Sequence, residues 1–275
     1  MNRWIAAVAV LFSSVMVRAA EVVKSALPSS RLDLPGENME INGRPTFVFL
    51  PPQAKRSTPQ PWIFYAPTLP PYPDSAERWM HERFLEAGIA VAGIDVGEAY
   101  GAPASHKHFE ALYAELITKK NFAKRPVLLG RSRGGLWVTS WAIANPTRVA
   151  AIAGIYPVFD FTTYPGVEKA APAYALNPAE LLARQRELNP IKRISILARA
   201  KIPVFLIHGD TDKVVPLEPN SREFQNQYRQ AGSESLITLQ ILEGQGHNMY
   251  EGFFRSEALV DFAIKHARFS AREPQ

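Results

Sequence analysis

The sequence has 275 residues, of which 47% are hydrophobic and 21% charged, so it is long and apolar enough to bury a large core. Its formal charge is +5, but the basic residues form no runs and are not interleaved with aromatic residues, which argues against a nucleic-acid partner. Because the sequence contains no cysteine, disulfides, thiolate metal sites and a cysteine nucleophile are excluded.

The first 19 residues have the pattern of a secretory signal peptide. Arg3 supplies a positive charge, and the apolar segment at residues 5–17 is too short to span a bilayer comfortably. Cleavage after Ala19 would remove Arg3 and Arg18 and lower the formal charge from +5 to +3. A lipid anchor is excluded because it requires a cysteine. We expect a periplasmic or secreted protein without stable membrane insertion; the alternative is an uncleaved N-terminal anchor.

A single domain is predicted to follow a short lead-in. Residues 20–38 are polar and interrupted by prolines, which predicts a poorly ordered lead-in to a domain at residues 39–275. The domain begins with two apolar segments on either side of Asn42-Gly43, a dipeptide typical of a tight β-hairpin. The hairpin is expected to form an antiparallel edge of the sheet.

Beyond the hairpin, apolar runs alternate with segments of helical periodicity. The runs predict strands at residues 62–66, 89–95, 126–130, 149–156, 203–209 and 236–242. The helical segments lie at residues 74–88, 108–120, 134–145, 222–232 and 257–267. This alternation predicts an α/β fold with a mostly parallel sheet and helices on both faces. Residues 157–197 break the alternation with prolines, tyrosines and one helical stretch. They predict a short cap insertion over the carboxyl ends of the strands, where such sheets bind ligands.

The segment GRSRG at residues 130–134 holds one serine between glycines and arginines. It is not a phosphate-binding P-loop, because Leu136-Trp137 replace the required Lys-Ser/Thr pair, and Ser132 replaces the second glycine of a dinucleotide fingerprint. It fits G-x-S-x-G, the nucleophile elbow, in which small residues beside the serine permit a sharp strand-to-helix turn. A predicted buried strand before it and a helix after it favour Ser132 as a nucleophile over a simple packing turn.

A serine hydroxyl becomes a good nucleophile when a histidine accepts its proton and a carboxylate orients that histidine. In the elbow fold these partners lie on loops after later strands. His247 lies in a glycine-flanked loop after the last strand and is the predicted base. His208 ends a strand and is predicted to brace the acid loop. The histidines in helical or pre-helical stretches are predicted to be surface residues; these are His81, His106 and His266.

Two aspartates in the loop after the strand at 203–209, Asp210 and Asp212, compete for the acid. The segment HGDTDKVVP at residues 208–216 resembles the H-G-x-x-D-x-x-V-P signature of α/β-hydrolase serine esterases and prolyl-oligopeptidase-like hydrolases. The resemblance assigns the acid to Asp212. Together with the elbow at Ser132 and GQGHNM around His247, it covers the chain from about Trp62 onward and implies the α/β-hydrolase fold.

The tetrahedral intermediate of acyl transfer needs two hydrogen-bond donors, which form an oxyanion hole. The elbow geometry predicts the backbone N–H of Arg133 as one donor. The second is expected from the loop after the strand at 62–66, where Pro67 has no N–H, which leaves Thr68 or Leu69 and, as an outside candidate, the Tyr65 hydroxyl.

The sequence identifies the residues of the substrate pocket less clearly than those of the triad. Arg131 and Arg133 either pair with a carboxylate such as Asp95, Glu98 or Asp160 or bind an anionic or hydroxylated substrate. Aromatic side chains in two loops are candidates for stacking on sugar rings at the pocket rim, with ordinary packing as the alternative; they are Tyr100, Tyr156 and Phe159.

The segments YAPTLP, GEAYGAP, GRSRGG, YPVFDF and GQGHNMYEGFF together resemble exported bacterial α/β-hydrolases of polysaccharide breakdown, including deacetylases. The resemblance implies a serine esterase acting on short-acyl, acetyl-type esters of small molecules or oligosaccharides, without metal or organic cofactor. A small exopeptidase or amidase of the same fold is the alternative. A catalytically silent carbohydrate-binding relative is a third hypothesis, which the presence of all three candidate triad residues disfavours.

Overall fold

The structure, a computed structural model, describes residues 32–272. The predicted signal peptide and most of the predicted lead-in lie outside the described residues. The first strand begins at Gly36, somewhat before the predicted start of the domain at residue 39.

An eight-stranded sheet forms the centre of the molecule, with the strand order β1-β2-β4-β3-β5-β6-β7-β8. Its strands are β1 Gly36–Ile41, β2 Arg44–Phe49, β3 Trp62–Ala66, β4 Ala90–Ile94, β5 Val127–Arg131, β6 Ala151–Ile155, β7 Val204–Gly209 and β8 Ile237–Leu242. The strands from β3 to β8 are parallel, whereas β2 pairs antiparallel with both β1 and β4. The predicted α/β-hydrolase architecture, including its antiparallel hairpin, is confirmed.

The hairpin turn follows directly from the two residues between β1 and β2. Asn42 and Gly43 both have positive φ, at 50° and 73°, as the two central residues of a tight hairpin turn require. Ile41 therefore pairs with Arg44, and this register places Thr46 to Phe49 beside β4.

Ten α-helices surround the sheet in the described part of the chain. They are α1 Arg78–Glu86, α2 His106–Lys120, α3 Gly134–Ala144, α4 Val167–Ala170, α5 Pro178–Ala183, α6 Gln185–Leu188, α7 Ser195–Arg199, α8 Glu223–Gln230, α9 Glu251–Phe254 and α10 Glu257–Arg272. Within residues 32–272, none of them is long and apolar enough to cross a membrane.

Each face of the sheet has its own core, because successive side chains of a strand point to opposite faces. Trp62 and Phe64 of β3 pack into one core, and Ile63 and Tyr65 into the other. Burial on both faces explains why the inner strands are continuous apolar runs rather than alternating ones.

The segment between β6 and β7 contains four short helices, α4 to α7. The single helical stretch predicted at residues 178–188 is divided into α5 and α6, which meet at Arg184. The Tyr174 hydroxyl donates to the carbonyl of Tyr100 at 2.9 Å, so this segment contacts a loop at the carboxyl end of β4.

The prediction that His81 is a surface residue is wrong. Its side chain is 0% exposed and lies among the rings of Phe49, Tyr65 and Phe84. Helix α1 packs on the sheet through a face that includes His81 and Phe84, whereas Trp79 is only half-buried. Neither ring nitrogen of His81 has a hydrogen-bond partner among the described residues.

Candidate active site

Ser132 lies in a strained turn between β5 and α3. Its φ is +50°, in the left-handed region that residues with a side chain rarely adopt. Neighbouring backbone holds this conformation: the Ser132 N–H donates to Ile155 at 2.9 Å, and the Ser132 carbonyl accepts from Gly135 and Val158 at 2.9 Å each. The turn therefore has the geometry of a nucleophile elbow.

The glycines on either side of Ser132 are required by close backbone contacts. A Cβ atom at Gly134 would lie 2.2 Å from the carbonyl oxygen of Ala66, the last residue of β3. One at Gly130 would lie 2.9 Å from the Cα of Gly135. A side chain at either position would collide with backbone. Glycine at both positions therefore allows the turn to pack directly against the β3 loop and the start of α3.

Three side chains from separate loops form a continuous hydrogen-bonded chain. The Oγ of Ser132 lies 2.9 Å from Nε2 of His247. The Nδ1 of His247 lies 2.8 Å from Oδ2 of Asp212. The loops follow β5, β8 and β7, whose carboxyl ends share one edge of the parallel sheet.

Asp212 is buried and held from several sides. Its Oδ1 accepts from the backbone N–H groups of Val214 and Val215 at 2.9 and 2.8 Å. Burial alone would raise the pKa of Asp212, but the imidazole of His208 3.6 Å away, the hydrogen bond to His247 and the Val215 N–H together hold that pKa well below its usual range. Asp212 is therefore ionised at neutral pH.

His208 has a structural position behind Asp212. Its Nε2 lies 2.8 Å from the carbonyl of Val215, so this nitrogen carries the proton, and its Nδ1 lies 2.8 Å from the Ser221 hydroxyl. Asp210, by contrast, is exposed and accepts from the backbone N–H of Gly244 at 2.7 Å. Of the two aspartates considered from the sequence, Asp212 faces His247.

Two of the residues predicted at the pocket rim are buried instead. Tyr156 is 2% exposed and packs against His247, with ring centroids 4.3 Å apart; Phe159 is 1% exposed and packs on Phe224 at 4.6 Å. Burial favours the packing alternative for both, because the chain after β6 turns into the core. Tyr100 is half-buried, and burial together with nearby Glu98 raises the pKa of its hydroxyl.

The loop after β3 lies beside the elbow, as the contact between Ala66 and Gly134 requires. In the described part of the chain, the backbone N–H groups of Arg133, Thr68 and Leu69 donate to no protein acceptor. They are thus free for an oxyanion. The hydroxyl of Tyr65 is not, because it donates to Glu77 at 2.7 Å and lies buried in the core.

Arg131 and Arg133 both pair with carboxylates. The guanidinium of Arg131 donates to Asp74 at 3.0 Å and Glu77 at 2.7 Å, neither of which was among the partners predicted from the sequence. Burial lowers the pKa of Arg131, but Glu77 raises it to well above its usual range. Arg133 is partly exposed and pairs with Glu98, one of the predicted partners. Neither arginine offers an unpaired charge to a substrate.

The segment with Asp74 and Glu77 carries a sequence signal that points to a different role. Asp74 and Glu77 form a capping box: the Asp74 carboxylate accepts from Ala76 N–H, and Glu77 accepts from Asp74 N–H at 3.1 Å. The sequence thus marks a helix start, and only the tertiary structure adds the contact with Arg131. Within residues 32–272, no three His, Asp or Glu side chains converge as metal ligands.

The chain matches a known protein family. The profile of the prolyl oligopeptidase family matches residues 106–268, which is more than half of the chain and includes Ser132, Asp212 and His247. No curated protein sequence matches the chain at a significant level.

Several solved structures resemble the chain. Est1E from Butyrivibrio proteoclasticus has a TM-score of 0.62 at 18% identity, over 85% of this chain and 99% of that one. A puromycin-hydrolyzing peptidase from Mycobacterium tuberculosis has a TM-score of 0.65 at 18% identity, over 91% of this chain and 41% of that one. The acylaminoacyl peptidase of Pyrococcus horikoshii has a TM-score of 0.65 at 14% identity, over 88% and 42%. The chain spans less than half the length of these two peptidases, and at such identities the likeness concerns the fold alone.

Proposed function

The chain belongs to the prolyl oligopeptidase family and is a serine hydrolase of the α/β-hydrolase fold, and we propose that it cleaves carboxylic esters through an acyl-enzyme formed on Ser132. The observation that carries this proposal is the hydrogen-bonded chain from Ser132 through His247 to Asp212. In this mechanism Ser132 is the nucleophile, His247 the general base and Asp212 the group that orients and stabilises His247.

The protonation states needed for attack follow from Asp212. An ionised carboxylate only accepts hydrogen bonds, so the 2.8 Å contact places a proton on Nδ1 of His247 and leaves the lone pair of Nε2 facing Ser132. Nε2 takes the hydroxyl proton as Oγ attacks the ester carbonyl carbon. The resulting imidazolium lies beside the carboxylate of Asp212, which stabilises its charge.

The carbonyl oxygen becomes negative in the tetrahedral intermediate and is held by the N–H of Arg133 and one N–H from Thr68 or Leu69. Collapse of the intermediate breaks the bond to the alcohol, which leaves with the proton from His247. A water molecule, deprotonated by His247, then attacks the acyl carbon; the acid departs and the Ser132 hydroxyl is regenerated.

Substrates with a short, neutral acyl group are proposed, such as acetyl esters of small molecules or oligosaccharides, in the periplasm or the medium. The motif resemblance to exported carbohydrate esterases supports this class, and so does the pairing of both arginines beside Ser132, which leaves no unpaired cation for an anionic acyl group. Tyr100, with part of its side chain exposed, is the residue proposed to contact the alcohol part of the ester.

Hydrolysis of amide substrates is the second candidate, because the match to the prolyl oligopeptidase family profile favours it. Parallel assays with 4-nitrophenyl acetate, acetylated xylo-oligosaccharides and aminoacyl-4-nitroanilides separate the two. We expect turnover of the esters; turnover of the anilides with no ester hydrolysis would identify an amidase.

The nucleophile is tested with a fluorophosphonate, which labels serines activated as nucleophiles. The folded protein is expected to be labelled at Ser132, and the Ser132→Ala variant to be neither labelled nor active. Labelling at another serine, or none at all in folded protein, would contradict the triad assignment; folded protein without label or turnover would indicate a binding protein instead.

A further inference from the structure

Arg131 is the last residue of β5 and immediately precedes Ser132. Its side chain is almost wholly buried, at 4% exposed, although it carries a charge. A buried charge is retained only when partners compensate for its lost hydration. The partners of Arg131 come from two other loops, and each of these loops carries a part of the proposed catalytic machinery.

The first of these is the loop after β3, which carries Thr68 and Leu69. It reaches Arg131 through Asp74 and Glu77 and through the ring of Tyr72, whose centroid lies 4.7 Å from the guanidinium carbon. Glu77 is itself fixed, because the Tyr65 hydroxyl and the Asp74 backbone N–H both donate to it. The contact is therefore a rigid one between Arg131 and the loop proposed to supply the second oxyanion donor.

The second is the loop after β8, which carries His247. The guanidinium donates to the sulfur of Met249 at 3.3 Å, two residues after His247. It also lies over the ring of Phe254, 4.7 Å from the centroid. Tyr156 packs against the His247 ring. Burial raises the pKa of the Tyr156 hydroxyl, and the charge of the nearby Arg131 guanidinium opposes this rise.

Only an arginine can make all of these contacts at once. The guanidinium is flat, so it can stack on the rings of Tyr72 and Phe254, and its donors point in fixed directions towards Asp74, Glu77 and Met249. A lysine would supply a point charge without the flat faces. Burial lowers the pKa of Arg131, but the contact with Glu77 raises it above its usual range, so the guanidinium is charged at neutral pH.

We propose that Arg131 is a positioning residue that fixes the oxyanion loop and the His247 loop relative to Ser132; this inference rests on the proposed hydrolase function. Arg131 touches neither substrate nor reacting atoms and acts through the two loops. Its loss should misplace His247 and the Thr68–Leu69 segment by a fraction of an ångström to an ångström. A displacement of this size lowers the rate of the chemical step much more than it weakens substrate binding.

The test compares Arg131→Lys and Arg131→Met with the same two substitutions at Arg148. Arg148 is a control for the loss of an arginine that pairs with a carboxylate, Glu110 at 2.7 Å, and lies over an aromatic ring, Tyr113 at 5.3 Å; it is more exposed than Arg131, and its partners lie outside the site. Measurements are kcat and KM for 4-nitrophenyl acetate, the rate of fluorophosphonate labelling, and thermal unfolding, which establishes that each variant is folded at the assay temperature.

For Arg131→Lys we expect kcat and the labelling rate to fall about 100-fold, with KM changed by less than about threefold. The Arg148 variants should stay within about twofold of wild type. Asp74→Asn, which removes one bond of Arg131 and retains a side-chain oxygen for the helix cap, should lower kcat about tenfold. If both Arg131 variants fail to fold, the Asp74→Asn variant tests the positioning role.

Wild-type kcat and labelling in folded Arg131→Lys, or in Asp74→Asn if that is the folded variant, would overturn the positioning role. A rise in KM with unchanged kcat would also overturn it, since Arg131 would then contribute to binding. If wild-type protein hydrolyses no ester or anilide and is not labelled at Ser132, the proposed function itself fails, and the inference about Arg131 fails with it.

Discussion

The charged residues around Ser132 form two layers that differ in burial. The inner layer is buried and consists of Glu77, Arg131 and Asp212. The outer layer lies at or near the surface and consists of Glu98, Arg133 and Asp210. The two arginines, and likewise the two aspartates, are separated by a single residue in the sequence, yet each pair is divided between the layers.

The layers differ in how many partners each charge has. Arg131 has two carboxylates, two aromatic rings and the sulfur of Met249, and Asp212 has two backbone N–H groups and two imidazoles. Arg133 has one carboxylate, that of Glu98, and lies 6.0 Å from the centroid of the Tyr72 ring. When one partner of a buried ion pair is removed, water cannot reach the charge that remains. When one partner of an exposed pair is removed, water hydrates the remaining charge. Burial, rather than residue type or nearness to Ser132, separates the charges with many partners from those with few.

The largest expected contrast is between the two aspartates. Asp212→Asn should lower kcat about 10⁴-fold, because an amide in this place stabilises the wrong tautomer of His247 and cannot balance its positive charge. Asp210→Asn should change kcat by no more than about twofold, since it alters an exposed bond to the Gly244 N–H. Steady-state hydrolysis of 4-nitrophenyl acetate measures both, and a greater loss in Asp210→Asn would make Asp210 the acid.

The two glutamates that pair with the arginines provide the second contrast, this time in stability. Glu77→Ala should lower the free energy of unfolding by about 3–5 kcal/mol, because it leaves Arg131 with one carboxylate and the buried Tyr65 hydroxyl with none. Glu98→Ala should cost no more than about 1 kcal/mol. Urea denaturation at neutral pH measures both values. Equal losses would show that the buried pair stabilises the fold no more than the exposed one.

The smallest contrast concerns His81, which lies behind the inner layer against Tyr65. Burial lowers the pKa of His81 to about 3, whereas the unfolded chain takes up this proton near pH 6.5. The unfolded state therefore binds more protons between these values, and stability falls as the pH falls from about 6.5 towards 3. Between pH 7.5 and 5, wild type should lose about 2 kcal/mol more than His81→Leu.

Urea denaturation of both proteins at the two pH values tests this sign. At pH 7.5 the leucine variant should be at least as stable as wild type, because it removes two ring nitrogens that lack partners among the described residues. An identical pH dependence in the two proteins would contradict the assignment of the acid sensitivity to His81.

Those features that depend on local spacing could be predicted from the sequence. The glycines that permit the sharp turn lie within a few residues of Ser132. Asp212 and His247 lie in loops that directly follow strands. Short motifs therefore suffice to place Ser132, Asp212 and His247 on loops at one edge of the sheet. The structure brings the three side chains into contact; their catalytic roles remain predictions. The hairpin was predictable for the same reason, since Asn42-Gly43 alone determines its turn.

Features that depend on the direction of a side chain in the folded molecule could not be predicted in the same way. Asp74 and Glu77 are 57 and 54 residues from Arg131 in the chain, and only the pairing of β3 with β5 brings them together. Tyr156 and Phe159 turn into the core because of the path after β6. His81 shares a helix face with Phe84 and Leu85, but its polar side chain suggested an exposed position.

The backbone of Ser132 is held by Ile155 and Val158, and its side chain by His247, which follows it by 115 residues. None of these contacts exists in a nascent chain that ends at the elbow. The nucleophile therefore acquires its shape only when the second half of the chain has docked, so an incomplete or misfolded copy leaves Ser132 an ordinary alcohol. In the proposed mechanism, reactivity at this one hydroxyl therefore requires that the chain has folded as far as His247.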